Sequence, residues 1–508
     1  MGAGQLRRNP KYDGPYDPQE PAALMSEALH KALENAHGAG AQSAVDLLAK
    51  ANILAIVDPL AWGYNDVFHE VANRVGLPGP YDGITVAPGG NSPGELMNTI
   101  VQRISDGQSE VAVLTGAECM YSRRRARREN STLNWTPFEG RRDFLKGQRE
   151  LANGIESRHL LTAPVHCYPL FENALRAKAR RSVHEHQLFL GEFMARNTDV
   201  AASNPFAWFP HAQSPEAIAT VGPENRMICF PYPKRMNAIM EVDMAAAVVI
   251  MSDAEADRQG IPAEKRVTIL GAASATDAWC ITEREDFTSS PALAVAFERA
   301  FAHAGCSVNE IDLFDLYSCF PSAIQIALAE LRVDTNDPRG VTVTGGLAYA
   351  GGPGNNYPLH GLAAMVERLR NPSDPASTGL TTSLGNVATK HAVQVLSVDP
   401  VKIARSNGQV SAKIPVTYDA PDLVDEVSGQ ATVETFTILY DRGGEPEATV
   451  FVLRLAGGQR TVAHGRCTAS EVALLTMEET IGRSGFVTAG RAGPGETNIP
   501  NRFELDGV

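Results

Sequence analysis

No CxxC pair occurs among the seven cysteines of this 508-residue chain (Cys119, Cys167, Cys229, Cys280, Cys306, Cys319 and Cys467), and their number is odd. A disulfide scaffold and a cysteine-rich zinc site are thereby excluded, and a reducing, cytoplasmic setting is expected. His184 and His186 are one residue apart in a helical pattern and point in different directions, so no metal site is expected. Long apolar runs are missing too. None approaches the roughly 18 uncharged residues needed to span a bilayer, and the opening MGAGQLRRNP has no apolar stretch after its arginines to make it a signal peptide. Positive charge is in deficit, 45 Lys and Arg against 59 Asp and Glu, so the net charge of -14 repels a polyanion and nucleic acid is not an expected partner. Neither a phosphate loop ending in Gly-Lys-Ser/Thr nor a GxGxxG turn is present. The one basic cluster, SRRRARR at 122–128, either meets the phosphates of a nucleotide-bearing small molecule or is a solvated surface run.

What is there is an α/β pattern too long for one core, with roughly two to four domains expected. Residues 1–20, rich in Pro, Gly, Tyr and Asp, read as loop, followed by a helix over 21–35, a strand over 52–57 and a helix over 66–75. A short strand at Ile84 breaks at Pro88-Gly89-Gly90. Ser92 then reads as the N-cap of a helix with Pro93 at its first position and Glu95 completing a capping box. Leu96, Ile100 and Ile104 give that helix one apolar face, and a strand opens at Val111. Residues 120–240 turn mostly helical before 241–253 resume the sheet pattern, so they read as an insertion. A second unit repeats the order of the first: helix 291–304, strand 311–316, helix 321–331, strand 341–344, helix 358–370, and strands 379–384 and 392–398. From about residue 405 the segments VSAKIPVTYD, ATVETFTILYD, ATVFVLRLAGGQR and RTVAHGRC alternate as strands. Gly457-Gly458 supplies a hairpin turn in a small barrel-like or sandwich-like domain.

Ligands of parallel sheets bind beyond the carboxyl ends of the strands, which directs attention to four turns. Tyr317, Ser318, Cys319 and Phe320 end a strand where a helix begins. A thiolate there would be stabilised by free N–H groups, lowering the Cys319 pKa, unless the residue is simply core. Gly345-Gly346 and Gly351-Gly352-Pro353-Gly354 leave backbone bare for a ligand or for a tight turn. Gly89, Gly90 and Ser92 hold the matching place in the first unit, where helix N–H groups can receive an anion or a carbonyl oxygen. Lys390 and His391 border the same site if the late strands lie beside it, while His360 falls inside a helix and reads as structural.

With these turns, the duplicated layout and the insertion, residues 20–400 resemble the thiolase superfamily, most closely the sterol-carrier-protein-type thiolases and type 1 thiolase-like proteins known as acetyl-CoA acetyltransferases. The resemblance implies an α/β fold of five layers, αβαβα, made of duplicated halves. The first half would be 1–119 with 241–264, a helical loop domain would be inserted at 120–240, and the second half would be 265–402. An additional OB-like small β-barrel domain would occupy 403–508. Family members form an acyl-cysteine and use an Asn or His of an NEAF- or HDCF-like motif, the His of a GHP motif and an acid/base cysteine. Here Gly90 falls at the nucleophile, Tyr317 of YSCF replaces the His or Asn, Cys319 matches the acid/base cysteine, and Gly352 of GGP replaces the His of GHP. The loop around Gly385, TSLGNVATKHA, has no cysteine.

The resemblance and the placement of the turns together give Cys319, Tyr317 and His391 as candidate catalytic residues and Gly90, Ser92 and Gly352 as ligand contacts, His391 and Ser92 from placement alone. No permanently bound cofactor is expected, and coenzyme A or an acyl-CoA is the expected ligand. Without a thiol at position 90, standard thiolase turnover is expected to fail, with weakened help at the thioester oxygen. Two functions follow. One is an acyl-CoA-handling protein of lipid metabolism, using Cys319 as acid/base in non-standard acyl transfer or retro-Claisen chemistry, or partnering an active subunit. The other is a non-catalytic acyl-CoA or lipid binder. Monomer and dimer both remain open, and the C-terminal domain could recruit a partner, its acidity arguing against nucleic acid.

Overall fold

The computed structural model describes residues 1–37, 41–140, 149–490 and 500–506. Two five-stranded sheets form the body of the molecule. In the first, the order is Gly2–Arg7, Asp243–Met251, Val111–Cys119, Ile53–Val57, Asp82–Ile84. Its pairings run antiparallel, antiparallel, parallel, parallel. In the second, Thr268–Thr276, Lys390–Ser397, Thr378–Gly385 and Leu313–Asp315 repeat the first three of these relations in the same sense. The duplication read from the order of elements is therefore a duplication of sheet topology.

Three helix pairs complete the correspondence: Pro21–His37 with Pro291–Ala304, Val67–Val75 with Pro321–Leu331, and Ser92–Ser105 with Tyr357–Leu369. The last pair lies between the two sheets. Buried Leu96, Met97 and Ile100 of one helix, with Leu359, Leu362 and Met365 of the other, join residues from both sheets in one apolar cluster. Each such side chain removed from water contributes about 1.5–3 kcal/mol. The helix Tyr357–Leu369 is apolar on nearly every side because it has sheet or helix on nearly every side. Polar bridges also cross this layer: Gln394 Nε2 donates to Asn98 Oδ1 at 2.7 Å and to Gly94 O at 3.2 Å.

Four local expectations are corrected. The opening residues are not all loop, because Gly2–Arg7 forms an edge strand on Asp243–Met251. Its side-chain-free Gly2 and Gly4 let it lie directly on Pro21–His37, where a Cβ on either would collide with that helix. The cap of helix Ser92–Ser105 is Asn91 rather than Ser92, and no side chain bonds across it. The Ser92 hydroxyl instead donates to Gly89 O at 2.7 Å. Residues 341–344 form no strand. They run beside Leu313–Asp315, but the Asp315 side chain takes the Thr342 hydroxyl at 2.8 Å and the Val343 N–H at 3.1 Å in place of a ladder. Finally, Val410–Ile414 pairs parallel with Thr268–Thr276 and so extends the second sheet instead of the C-terminal one.

The C-terminal region closes a five-stranded barrel from Gly429–Tyr440, Pro446–Leu455, Arg460–His464, Arg502–Leu505 and Ser484–Thr488. Closure removes the free edges of a small sheet. The Gly457-Gly458 turn joins two of its strands as expected. The insertion carries Pro164–Lys178 and Val183–Ser203, and its short strand Met227–Cys229 attaches to the barrel through Cys229 and Leu439. A buried network ties the insertion to helix Pro321–Leu331: Glu172 accepts from Gln325 at 2.7 Å, from His186 at 2.7 Å and from Tyr232 at 2.6 Å.

Candidate functional site

The turn before helix Ser92–Ser105 and the end of strand Leu313–Asp315 meet beyond the carboxyl ends of the parallel strands. Gly90 is buried, and a Cβ built on it would overlap the Tyr317 hydroxyl and the Leu384 carbonyl oxygen, with Tyr317 Cζ at 2.7 Å. Tyr317 therefore occupies the volume that a side chain at 90 would need. Its backbone N–H is fixed by the Thr382 hydroxyl at 2.8 Å, and its ring packs edge-on to Tyr357 with centroids 5.8 Å apart. Burial holds its phenol well above the ordinary pKa, so it is a neutral group that can donate or accept.

Cys319 is 8% exposed and precedes the Phe320 cap of helix Pro321–Leu331. The helix terminus does not lower its pKa. Burial pushes the thiol up to about 12, against smaller opposing hydrogen bonds from Tyr168 and nearby backbone N–H groups. Desolvating a thiolate costs more here than a half-charge at a helix end returns. At neutral pH the group is a thiol, suited to proton donation and unsuited to attack. Tyr168 was missed in the sequence because it arrives from the insertion, on Pro164–Lys178. It stacks on Phe320 at 4.4 Å, and its hydroxyl accepts from Ala388 N–H at 3.0 Å.

Gly352 lies on the other side of Cys319, across the 237–240 segment. The Gly352 N–H donates to Ile239 O at 2.8 Å, and the Ala238 N–H donates to Cys319 O at 3.2 Å. A Cβ on Gly352 would meet only ordinary contacts, at 3.4 Å from Ile239 O and Leu347 Cδ2. Glycine is thus sterically required at 90 and not at 352. Gly351 and Gly354 adopt left-handed φ values of 105° and 53°, and their faces lie against Met244 and Glu118, so this turn is packed tightly as well as bare.

Strand alternation separates Lys390 from His391. Lys390 extends to the Gly89 turn, where Nζ donates to Pro88 O at 3.1 Å; burial lowers its pKa, with Glu95 acting in the opposite direction. His391 turns to the other face of the sheet. Its Nε2 lies 3.2 Å from Asp277 Oδ2, 3.1 Å from Ser290 Oγ and 2.9 Å from Ala388 O. Ser290 also bonds Asp277 directly and caps helix Pro291–Ala304. Serine and aspartate share one imidazole nitrogen instead of flanking the ring, so this trio is not a relay for a serine nucleophile. Burial would raise the Asp277 pKa, but the Arg284 charge and the hydrogen bond with His391 outweigh it and hold the carboxyl well below its usual range. His360 bonds Gln5 at 3.0 Å on the first-sheet side, away from these turns, and burial lowers its pKa to about 3.

Asn91 is the second residue that sequence reasoning passed over. It is fully buried beside Gly89 and Gly385, and its side chain interacts with the half-buried Glu95 carboxylate. The amide thus helps to fix the Gly89-Gly90 turn from within, next to the helix N-terminus and Lys390. Of the basic cluster, Arg124 and Arg128 pair with Glu241, and Arg125 pairs with Glu129. Among the described residues no group of three or more potential ligands could hold a metal ion, and no helix is long and apolar enough to cross a membrane.

Comparison with known proteins agrees with this architecture. Residues 413–491 match the family model described as the thiolase-like protein type 1 additional C-terminal domain. The fold superposes on a monomeric SCP2-thiolase like protein type 1 from Mycobacterium smegmatis with a TM-score of 0.78 and 28% identity, covering 99% of this chain and 98% of that one. Acetyl-CoA acetyltransferases of Methanocaldococcus jannaschii and Methanothermobacter thermautotrophicus are 26% and 24% identical over 32% and 45% of this chain. The matches span 40% and 63% of those two relatives' own lengths.

Proposed function

We propose that this chain, a thiolase-like protein of type 1, holds an acyl-CoA-type thioester between the Gly90 and Tyr317–Cys319 turns without passing the acyl group through a cysteine. The observation that carries this reading is the filling of the space at Gly90 by the Tyr317 hydroxyl and the Leu384 carbonyl oxygen. A nucleophile there has neither the atom nor the room, and covalent catalysis requires the thiol at the reacting carbon. The resemblance to acetyl-CoA acetyltransferases supports a thioester as the ligand. The helix N-terminus and Lys390 supply polar contacts for its oxygens. No resident cofactor is required. The monomeric Mycobacterium smegmatis protein supports a monomer here, and the free cysteines support a cytoplasmic setting.

A second reading keeps a chemical step. The Cys319 thiol, hydrogen-bonded by Tyr168 and raised to about 12, is protonated and beside the site, as a proton donor to a carbanion must be. Calorimetry with coenzyme A and a long-chain acyl-CoA tests both readings. Saturable binding is expected, and no heat together with no thermal shift for either ligand would remove them.

A further inference from the structure

A cavity of about 430 Å³ opens at the opposite pole of the fold, beside the C-terminal end of the helix that begins next to Gly90. The helix Ser92–Ser105 separates the two places by about 20 Å at 1.5 Å per residue. Val101 and Ile104 of that helix, Ile250 of the first sheet, Ile269 of the second and Ile403 form apolar walls, so the cavity lies on the seam between the halves. Its size falls within the range of small-molecule sites.

Two cations give this apolar space a polarity. Arg370 donates to the Asn35 side chain and to the Met1 carbonyl, both neutral, and its Nε is buried without a partner. Burial lowers its pKa to about 10, with Glu367 the opposing charge. Lys265 is exposed at the rim and joins Arg370 in lining a second cavity alongside. Neither cation forms an ion pair among the described residues. Arg266, by contrast, is neutralised by Asp257 at 2.7 Å. One carboxylate, Asp253, lines the first cavity, which leaves positive charge in excess there; the second also carries Glu34, Glu264 and Asp374, the last paired with Arg368.

We propose that this cavity binds a single-chain amphipathic carboxylate, its alkyl chain between the isoleucines and its head group on Arg370 and Lys265. An uncharged chain would leave the Arg370 and Lys265 charges without a counter-ion, and a small inorganic anion would leave the apolar walls wet. The site is independent of the thioester reading, since it shares no residue with the Gly90 turn.

The test is calorimetric titration of the full chain with decanoate and with decanol, in the presence and absence of saturating coenzyme A. Saturable decanoate binding is expected, unaffected by coenzyme A and at least about tenfold tighter than for decanol, as for a hydrogen bond to a charged group. Lys265→Glu, at an exposed position, is expected to weaken decanoate by about tenfold, and Ile104→Trp to abolish binding by filling the space. No saturable binding, displacement by coenzyme A, or indifference to both substitutions would overturn the proposal. Circular dichroism of each variant separates lost binding from lost fold.

Discussion

The Tyr317 hydroxyl stands where a side chain on Gly90 would begin, and the Leu384 carbonyl oxygen closes the same point from the next strand. The absence of a side chain at 90 and the placement of the Tyr317 ring are one steric arrangement. Gly90→Cys is therefore expected to overpack the site and cost about 1–3 kcal/mol in denaturant unfolding. Tyr317→Asn added to it recovers only part of that loss, because Leu384 O belongs to the backbone. Gly352→His, at a position with open contacts, is expected to stay within about 1 kcal/mol of the parent. Equal costs at 90 and 352 would contradict this account.

Cys319 alkylation reports its environment directly. With a thiol raised to about 12, its iodoacetamide rate is expected to climb about tenfold per pH unit from 7 to 10 without a plateau. Cys306 and Cys467, both less buried, are expected to react first. A plateau for Cys319 near pH 7, read by peptide mass spectrometry, would mean that the helix N-terminus outweighs burial.

Lys390 and His391 separate site from scaffold. Lys390→Met is expected to weaken coenzyme A binding several-fold, since Nζ reaches the Gly89 turn, and to cost about 1–3 kcal/mol in unfolding because the Pro88 carbonyl and half-buried Glu95 lose their partner. His391→Leu removes a buried partner of Asp277 and is expected to cost about 2–4 kcal/mol in unfolding. The protein that remains folded should keep its ligand affinity. The reverse pattern, in titration calorimetry and thermal unfolding, would make His391 the ligand contact.

The sequence was most legible where proline sets a helix's first turn. Pro291–Ala304 and Pro321–Leu331 were readable to the residue because Pro291 and Pro321 fix the start and Gly305 ends the first of them. Strands 341–344 and 410–414 misled because alternation cannot distinguish a ladder from a side-chain bond such as Asp315 to Thr342, or one sheet from another. At the site, the places of Gly90 before one helix and of Tyr317 and Cys319 before another could be read. What could not be read was contact across hundreds of residues: Tyr168 on Cys319 and the reach of Lys390 to Pro88.

Buried His360 predicts one acid-side effect. Its pKa is lowered to about 3, so between the unfolded value near 6.5 and pH 3 the unfolded chain binds the proton and the folded chain does not. Its contribution to stability is complete above pH 6.5 and falls as pH drops through that window, by roughly 1.4 kcal/mol per unit. His360→Gln is expected to flatten this part of the stability profile. A profile that shifts without changing slope would contradict the assignment.

Native mass spectrometry of the chain with a long-chain acyl-CoA, followed by denaturation of the same sample, tests the central claim most directly. The account predicts a one-to-one complex in the native spectrum and the unmodified chain mass after denaturation. An acyl adduct surviving denaturation, or no complex at all, would contradict it.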